Sequence, residues 1–251
     1  MTTIALECRD ITVSFGALKA IDNFSHRFET GRVYGLIGPN GAGKTTLLNV
    51  LAGRLFQTTG QVFCNGADIS TMAAHQRARA GIGRSFQITK IYPEMTVAEN
   101  LRIAAQIKHS RFLPFWIARR YDKRLQQDID AMLELTGLAA HRDEVAGAMS
   151  YGLQRALELG VTLLPEPAIL LLDEPLAGIG HHEIASAVRL IRFAAQARTV
   201  LLIEHNMDAV MSLSEEIVVM SNGSKIACGS PQAIRADQTV RSVYLGEEEA
   251  A

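Results

Sequence analysis

The chain has 251 residues, with 25 basic against 26 acidic side chains and a net charge of −1. That length buries a substantial core, either as one α/β domain or as a domain with a subdomain, and the balanced charge excludes a global basic field for nucleic acid or an anionic membrane. Three widely spaced cysteines (Cys8, Cys64 and Cys228) read as reduced thiols rather than a disulfide framework, the first ten residues do not read as a signal peptide, and no apolar run reaches the ~20 residues of a bilayer span.

Residues 1–35 read as strands of period two: Ile11, Val13 and Phe15 alternate with polar neighbours, as do Phe24 and Phe28. The apolar stretch at 33–37 predicts a buried strand. It runs into GPNGAGKTT at 38–46, and a helix is predicted over 46–52. Gly38, Gly43, Lys44 and Thr45 match the pattern G-x-x-x-x-G-K-[ST]. Glycines let backbone N–H groups turn inward at a helix start, which makes a nest for a polyphosphate. Lys44 is placed to reach the β- and γ-phosphates, and the Thr45 hydroxyl to ligate Mg²⁺. A glycine-rich turn that merely contains lysine is the bland alternative. Strand, loop and helix in register argue against it.

Residues 61–64 predict another strand, followed by an Asn65-Gly66 turn, giving an antiparallel sheet beside the strand at 33–37. Gln87 in RSFQ offers a neutral amide oxygen to Mg²⁺ and a donor to water. From about 95 to 163 the periodicity is helical, with Ile129, Met132, Leu133 and Thr136 on one face. Within it, residues 108–124 gather Lys108, Arg111, Arg119, Arg120, Lys123 and Arg124 around Phe112, Phe115 and Trp116. Such a cluster could touch RNA or acidic headgroups; a solvated face near a membrane partner is the favoured reading. In MSYGLQR, Ser150 is an N-cap type and Gly152 permits close backbone approach, so a second anion-binding helix start is expected there. A second such start in one chain suggests service to a partner's nucleotide across a two-fold interface.

A continuous apolar strand is predicted at 168–172, as for a parallel strand buried on both faces. Asp173 and Glu174 follow it. A carboxylate at the end of such a strand points into the crevice where α/β sheets bind ligands, so Asp173 is a candidate for Mg²⁺ and Glu174 for the attacking water. An amphipathic helix over 181–197 and a strand over 199–203 complete a right-handed βαβ unit, with His181-His182 read as a helix start rather than metal ligands. His205 lies just past that strand, in reach of a γ-phosphate. A hairpin over 216–228 turns at Asn222-Gly223, Ser230-Pro231 opens a closing helix, and EEEAA reads as a solvated tail.

These elements in this order make an α/β fold of the P-loop NTPase class, and together they resemble the ATP-binding cassette (ABC) ATPases over essentially the whole chain. The resemblance implies a mixed parallel core sheet, an antiparallel β-subdomain from about 1–35 and 58–70, and an inserted helical subdomain at about 92–163, all within one domain of 1–251. It implies that ATP is held by Gly38, Asn40, Gly41, Ala42, Gly43, Lys44, Thr45 and Thr46, that Mg²⁺ is held by Thr45, Gln87 and Asp173, and that Phe15 stacks on adenine. Glu174, His205 and Gln87 take the catalytic positions. Ser150, Tyr151 and Gly152 belong to the signature that meets a second nucleotide.

RSFQITKIYPEMTVAENL, the SYG signature, EPLAGI, LLIEHNMD and VRSVYLG further resemble the LivG-type subunit of branched-chain amino acid importers. That implies ATP-driven uptake of a branched-chain or hydrophobic amino acid, or a related small solute. The implied partners are two transmembrane permease subunits, a solute-binding protein reached indirectly, and a dimer mate that is a second copy or a sister ATPase. No nucleic acid is expected, and the expected location is the cytoplasmic face of the cell membrane. A soluble ABC-type ATPase without a transport partner, regulatory or nucleic-acid associated, is the alternative; a P-loop kinase or GTPase would lack a use for residues 150–154 and carries no N-K-x-D. Three positions depart from the family pattern. Tyr151 replaces a glycine as in the LivG-like branch, Leu153 replaces a polar residue, and Gly180 stands where relatives carry aspartate or asparagine. The last two imply weaker contacts across the dimer.

Overall fold

The alternating residues near the N-terminus form β1 (Ile4–Phe15) and β2 (Leu18–Glu29), paired antiparallel. In β1 the most deeply buried positions run Leu6, Cys8, then Ile11, Val13, because a register shift between Cys8 and Ile11 moves the inward face by one residue. The computed structural model describes residues 3–85, 91–109, 123–196 and 198–248. These fall into two units: one of Met1–Arg84, Ala168–Glu174 and Ala195–Ala251, the other of Ser85–Pro167 and Pro175–Ala194.

The first unit holds both sheets. After β3 (Val33–Ile37), α1 (Lys44–Leu51) leads to β4 (Thr59–Cys64) and β5 (Ala67–Asp68), which complete a four-stranded antiparallel sheet of order β2-β1-β4-β5. Then come α2 (Ala74–Arg79), β6 (Ile82–Arg84), β7 (Ile169–Asp173), β8 (Thr199–Ile203), α7 (Met207–Leu213, counting α3 to α6 below), β9 (Glu216–Ser221) and β10 (Ser224–Gly229). The second sheet has order β10-β9-β3-β8-β7-β6, parallel except for β10. Every residue of β3, β7 and β8 is buried, as their apolar runs require, and Asp173 at the end of β7 and Thr199 at the start of β8 are buried with them.

Arg77 on α2 has no exposed surface. Its guanidinium donates to the carbonyls of Val50 (2.6 Å), Leu51 (3.1 Å), Ser70 (3.1 Å) and, through Nε, Met72 (3.0 Å). The first two close the C-terminus of α1, where orphan carbonyls and the helix dipole favour a cation. His26 is packed edge-on against the Phe28 and Tyr34 rings, and burial pushes its imidazole down to about 4, so it is neutral at physiological pH.

The second unit is helical: α3 (Val97–His109), α4 (Lys123–Thr136), α5 (Tyr151–Leu163) and α6 (His181–Ala195). Leu101 and Ala105 of α3, Ile129 and Leu133 of α4, and Leu157 of α5 share one core, with Met132 and Leu153 packed against it. Most of the basic and aromatic cluster lies outside the described residues, at 110–122. Of its members within them, Lys108 pairs with Asp128 (3.1 Å) and Glu166 (2.9 Å).

At the C-terminus, Ser230 caps α8 (Pro231–Ala236) and accepts from the Ala233 amide at 3.2 Å. α9 (Gln238–Glu248) continues through the first two glutamates of the stretch expected as a solvated tail. Acidic residues are adequate helix formers, and Val240 of this helix is buried in one apolar cluster with Ile37, Val210 and Ile234 of the first unit, which anchors it. No helix among the described residues is long and apolar enough to cross a membrane.

Candidate active site

The loop between β3 and α1 is shaped by glycine. Gly43 has φ +97°, and a Cβ there would stand 2.4 Å from the Ala20 carbonyl; at Gly38 (φ +150°) it would stand 2.0 Å from the Met220 carbonyl. The loop is closed by an Ala42 N–H to Pro39 O bond of 3.2 Å, and the β9–β10 turn is held to it by Gly223 N–H donating to Ala42 O at 3.1 Å. Asn40 and Gly41 stay exposed at the loop tip while Ala42 is buried. Lys44, 7 % exposed, donates from Nζ to Gly38 O (2.7 Å) and Pro39 O (2.8 Å). The ammonium therefore lies across the mouth of the nest, where phosphate oxygens would meet it. Because the Gly43 contact is with backbone, Gly43→Ala is expected to destabilise the chain by ~1–3 kcal/mol and to weaken nucleotide binding more than tenfold. Thermal unfolding and nucleotide titration of that variant check this; wild-type values for both would contradict it.

Asp173, at the end of β7, has no exposed surface. Burial pushes its carboxyl above the ordinary range and the neighbouring Glu174 charge adds to this, while Arg84 and a hydrogen bond from the Thr45 hydroxyl pull it down. Arg84, at the end of β6, donates to Asp173 Oδ2 at 3.1 Å and to Asn49 Oδ1 on α1 at 2.7 Å. Thr45 and Asp173 thus supply a hydroxyl and a carboxylate side by side. Hard oxygen donors of this kind fit Mg²⁺, and the glycine-lined nest with Lys44 fits a polyphosphate.

Glu174 has φ +50°, an uncommon conformation for a non-glycine residue, held by its amide donating to Ile203 O at 2.9 Å. His205 Nε2 lies 3.2 Å from Glu174 Oε1. Glu204 steadies the turn by accepting from the amides of His205 (2.9 Å) and Asn206 (3.3 Å), and Asn206 caps α7. The first unit thus brings together Gly38, Lys44, Thr45, Asp173, Glu174 and His205. Thr46 lies in the first turn of α1, and Phe15, 53 % exposed, ends β1 with its ring available.

The second unit carries the other helix start. Ser150 is the N-cap of α5 and accepts from the Leu153 amide at 3.4 Å. Tyr151 is exposed, with the Arg155 guanidinium 5.3 Å from its ring centroid and Gly178 against its edge. The space beside Gly152 is taken by the Glu183 carboxylate, which also accepts from the Gly180 amide at 3.3 Å. Leu153 packs on the helical core, which accounts for an apolar residue there. Gln87 lies outside the described residues. Arg84 and Asn49 were not foreseen; their signal in sequence is only that Arg84 stands three residues before Gln87 and Asn49 one helical turn after Thr45.

A family described as "ABC transporter" matches residues 21–177, and one described as "Branched-chain amino acid ATP-binding cassette transporter" matches residues 224–250. The chain is 38 % identical to the high-affinity branched-chain amino acid transport ATP-binding protein BraF of Pseudomonas aeruginosa, over 98 % of this chain and all of that one. It is 35 % identical to LivG of Escherichia coli K12 over the same shares, and 30 % identical to the lipopolysaccharide export ATP-binding protein LptB of Haemophilus influenzae over 97 % of this chain and 98 % of that one. Among solved structures, the ADP conformation of MJ1267, an ATP-binding cassette of an ABC transporter, superposes with TM-score 0.83 at 32 % identity, covering 98 % of this chain and all of that one.

Proposed function

The chain belongs to the ABC transporter family, and from that premise we propose that residues 38–46, 173, 174 and 205 make one half of an ATP-hydrolysing site. It is an Mg²⁺-dependent ATPase subunit of an importer of branched-chain amino acids or a related small solute, and it works with membrane permease components. The observation that carries the catalytic reading is Glu174: a carboxylate in a strained left-handed conformation, 3.2 Å from His205, one residue past the buried Asp173.

Lys44 and the loop amides bind the phosphates, and Thr45 and Asp173 are the residues that would hold Mg²⁺. The ion, when bound, neutralises phosphate charge as the β–γ bond breaks. Glu174 orients the attacking water and accepts its proton, with His205 fixing the carboxylate and meeting the γ-phosphate. Gln87 senses the same phosphate, and Phe15 stacks on the base. Residues 150–152 serve the nucleotide held by the dimer mate, whether a second copy or a sister ATPase. ATP and ADP then differ in affinity for the closed pair, because only the γ-phosphate reaches those amides, and this difference drives closure. We place the chain on the cytoplasmic face of the membrane, against two permease subunits. Residues 1–35 and 58–70 act as a β-subdomain, and 92–163 as the helical subdomain that carries the motion.

Purification from native membranes tests the transport reading. The chain is expected to co-purify with integral membrane proteins, and a branched-chain amino acid with its binding protein should stimulate the ATPase severalfold. Recovery of an active ATPase with no integral membrane protein would favour a stand-alone ATPase instead.

A further inference from the structure

We propose that His26, Glu216 and Cys228 form a binding site for a zinc-class divalent cation, remote in chemistry from the nucleotide site and tying the two sheets of the first unit together. Their candidate donor atoms all lie within 4.8 Å of one another. Each comes from a different strand: His26 from β2 of the antiparallel sheet, Glu216 from β9 and Cys228 from β10 of the parallel one. Imidazole, thiolate and carboxylate are the three ligand types that zinc accepts together, and three protein ligands leave a fourth position for water.

The geometry is close to a ligand shell. His26 Nε2 stands 3.5 Å from Glu216 Oε1, and Cys228 Sγ stands 2.8 Å from the same oxygen. Around a tetrahedral zinc, bond lengths of ~2.0–2.3 Å put donor atoms about 3.3–3.8 Å apart. The histidine and glutamate are already at that spacing, and the cysteine needs to withdraw by roughly 0.8 Å, which its exposed side of β10 allows.

The second observation is His26 itself. Its side chain is only 8 % exposed, yet Nε2, the atom aimed at Glu216, has no hydrogen-bond partner. A buried polar atom without a partner is costly, and a metal bond removes that cost. The outer shell is in place too. The imidazole is wedged edge-on between Phe28 (4.6 Å between centroids) and Tyr34 (5.8 Å), while Arg32 approaches Glu216 Oε2 at 3.5 Å and leaves Oε1 for the ion. On binding, the sulfur–metal bond replaces the S–H bond to Glu216, and the thiol proton leaves to solvent.

Cobalt(II) is the probe, added to the full chain without nucleotide or Mg²⁺, because a thiolate ligand produces a strong near-ultraviolet charge-transfer band. One equivalent is expected to give that band and to be displaced by zinc. Cys228→Ser should abolish the band, and Glu216→Gln should weaken binding at least tenfold, with unfolding in the absence of metal little changed for either. His26→Gln should also lose the site; if it fails to fold, the two surface-side variants decide. No band in the wild type, or a band that survives Cys228→Ser through Cys8 or Cys64, would overturn the assignment.

Discussion

Replacing Lys44 with alanine is expected to abolish productive ATP binding, with affinity falling by roughly 10²-fold or more. The side chain is 7 % exposed, and its ammonium is held by the carbonyls of Gly38 and Pro39 at 2.7 and 2.8 Å. It is therefore fixed over the nest before any phosphate arrives, and little rotamer entropy remains to be lost on binding. Charge-assisted hydrogen bonds to phosphate contribute ~1.5–3 kcal/mol each, and alanine removes them all, along with the two bonds to the loop carbonyls. Titration with a fluorescent ATP analogue and a turnover assay read the effect. Unchanged affinity and turnover would remove Lys44, and with it residues 38–46, from the site.

Glu174→Gln is the second large effect: turnover should fall by roughly 10²–10⁴-fold while ATP still binds. The amide keeps the shape of the side chain and an oxygen for His205, so the 3.2 Å contact and the strained backbone at φ +50° can persist. What is lost is the capacity to take a proton from water. His205, half-exposed at 54 % of its side chain, keeps its contact partner in the variant, so a loss of turnover reports on the carboxylate. The variant separates binding from chemistry, so it should hold ATP for far longer than the wild type does.

What could be read in advance followed the range of the interactions. The apolar runs of β3, β7 and β8 announce burial by composition, and the loop at 38–46 carries its geometry in its own glycines. Glu174 and His205 were each placed just past a buried strand from local sequence, but that the pairing of β7 with β8 brings the two side chains to 3.2 Å shows only in the fold. Arg84 was not legible, since its partners Asp173 and Asn49 lie 89 and 35 residues away. Arg77 was missed for the same reason: a charged residue that closes a helix 27 residues earlier looks like any surface arginine in sequence. His26 and Cys228 meet only because two sheets pack, which no local pattern announces. That the helix runs on through Glu247 and Glu248 was not legible from composition either; the buried Val240 anchors it.

The measurement that bears most directly on a site shared between two chains is sedimentation of Glu174→Gln, together with any sister ATPase that co-purifies with it. With ATP and Mg²⁺ a stable dimer is expected, and with ADP its dissociation into monomers, because only the γ-phosphate would reach residues 150–152 of the mate. A variant that stays monomeric with ATP bound and still hydrolyses it at the wild-type rate would contradict both the shared site and the role of Glu174.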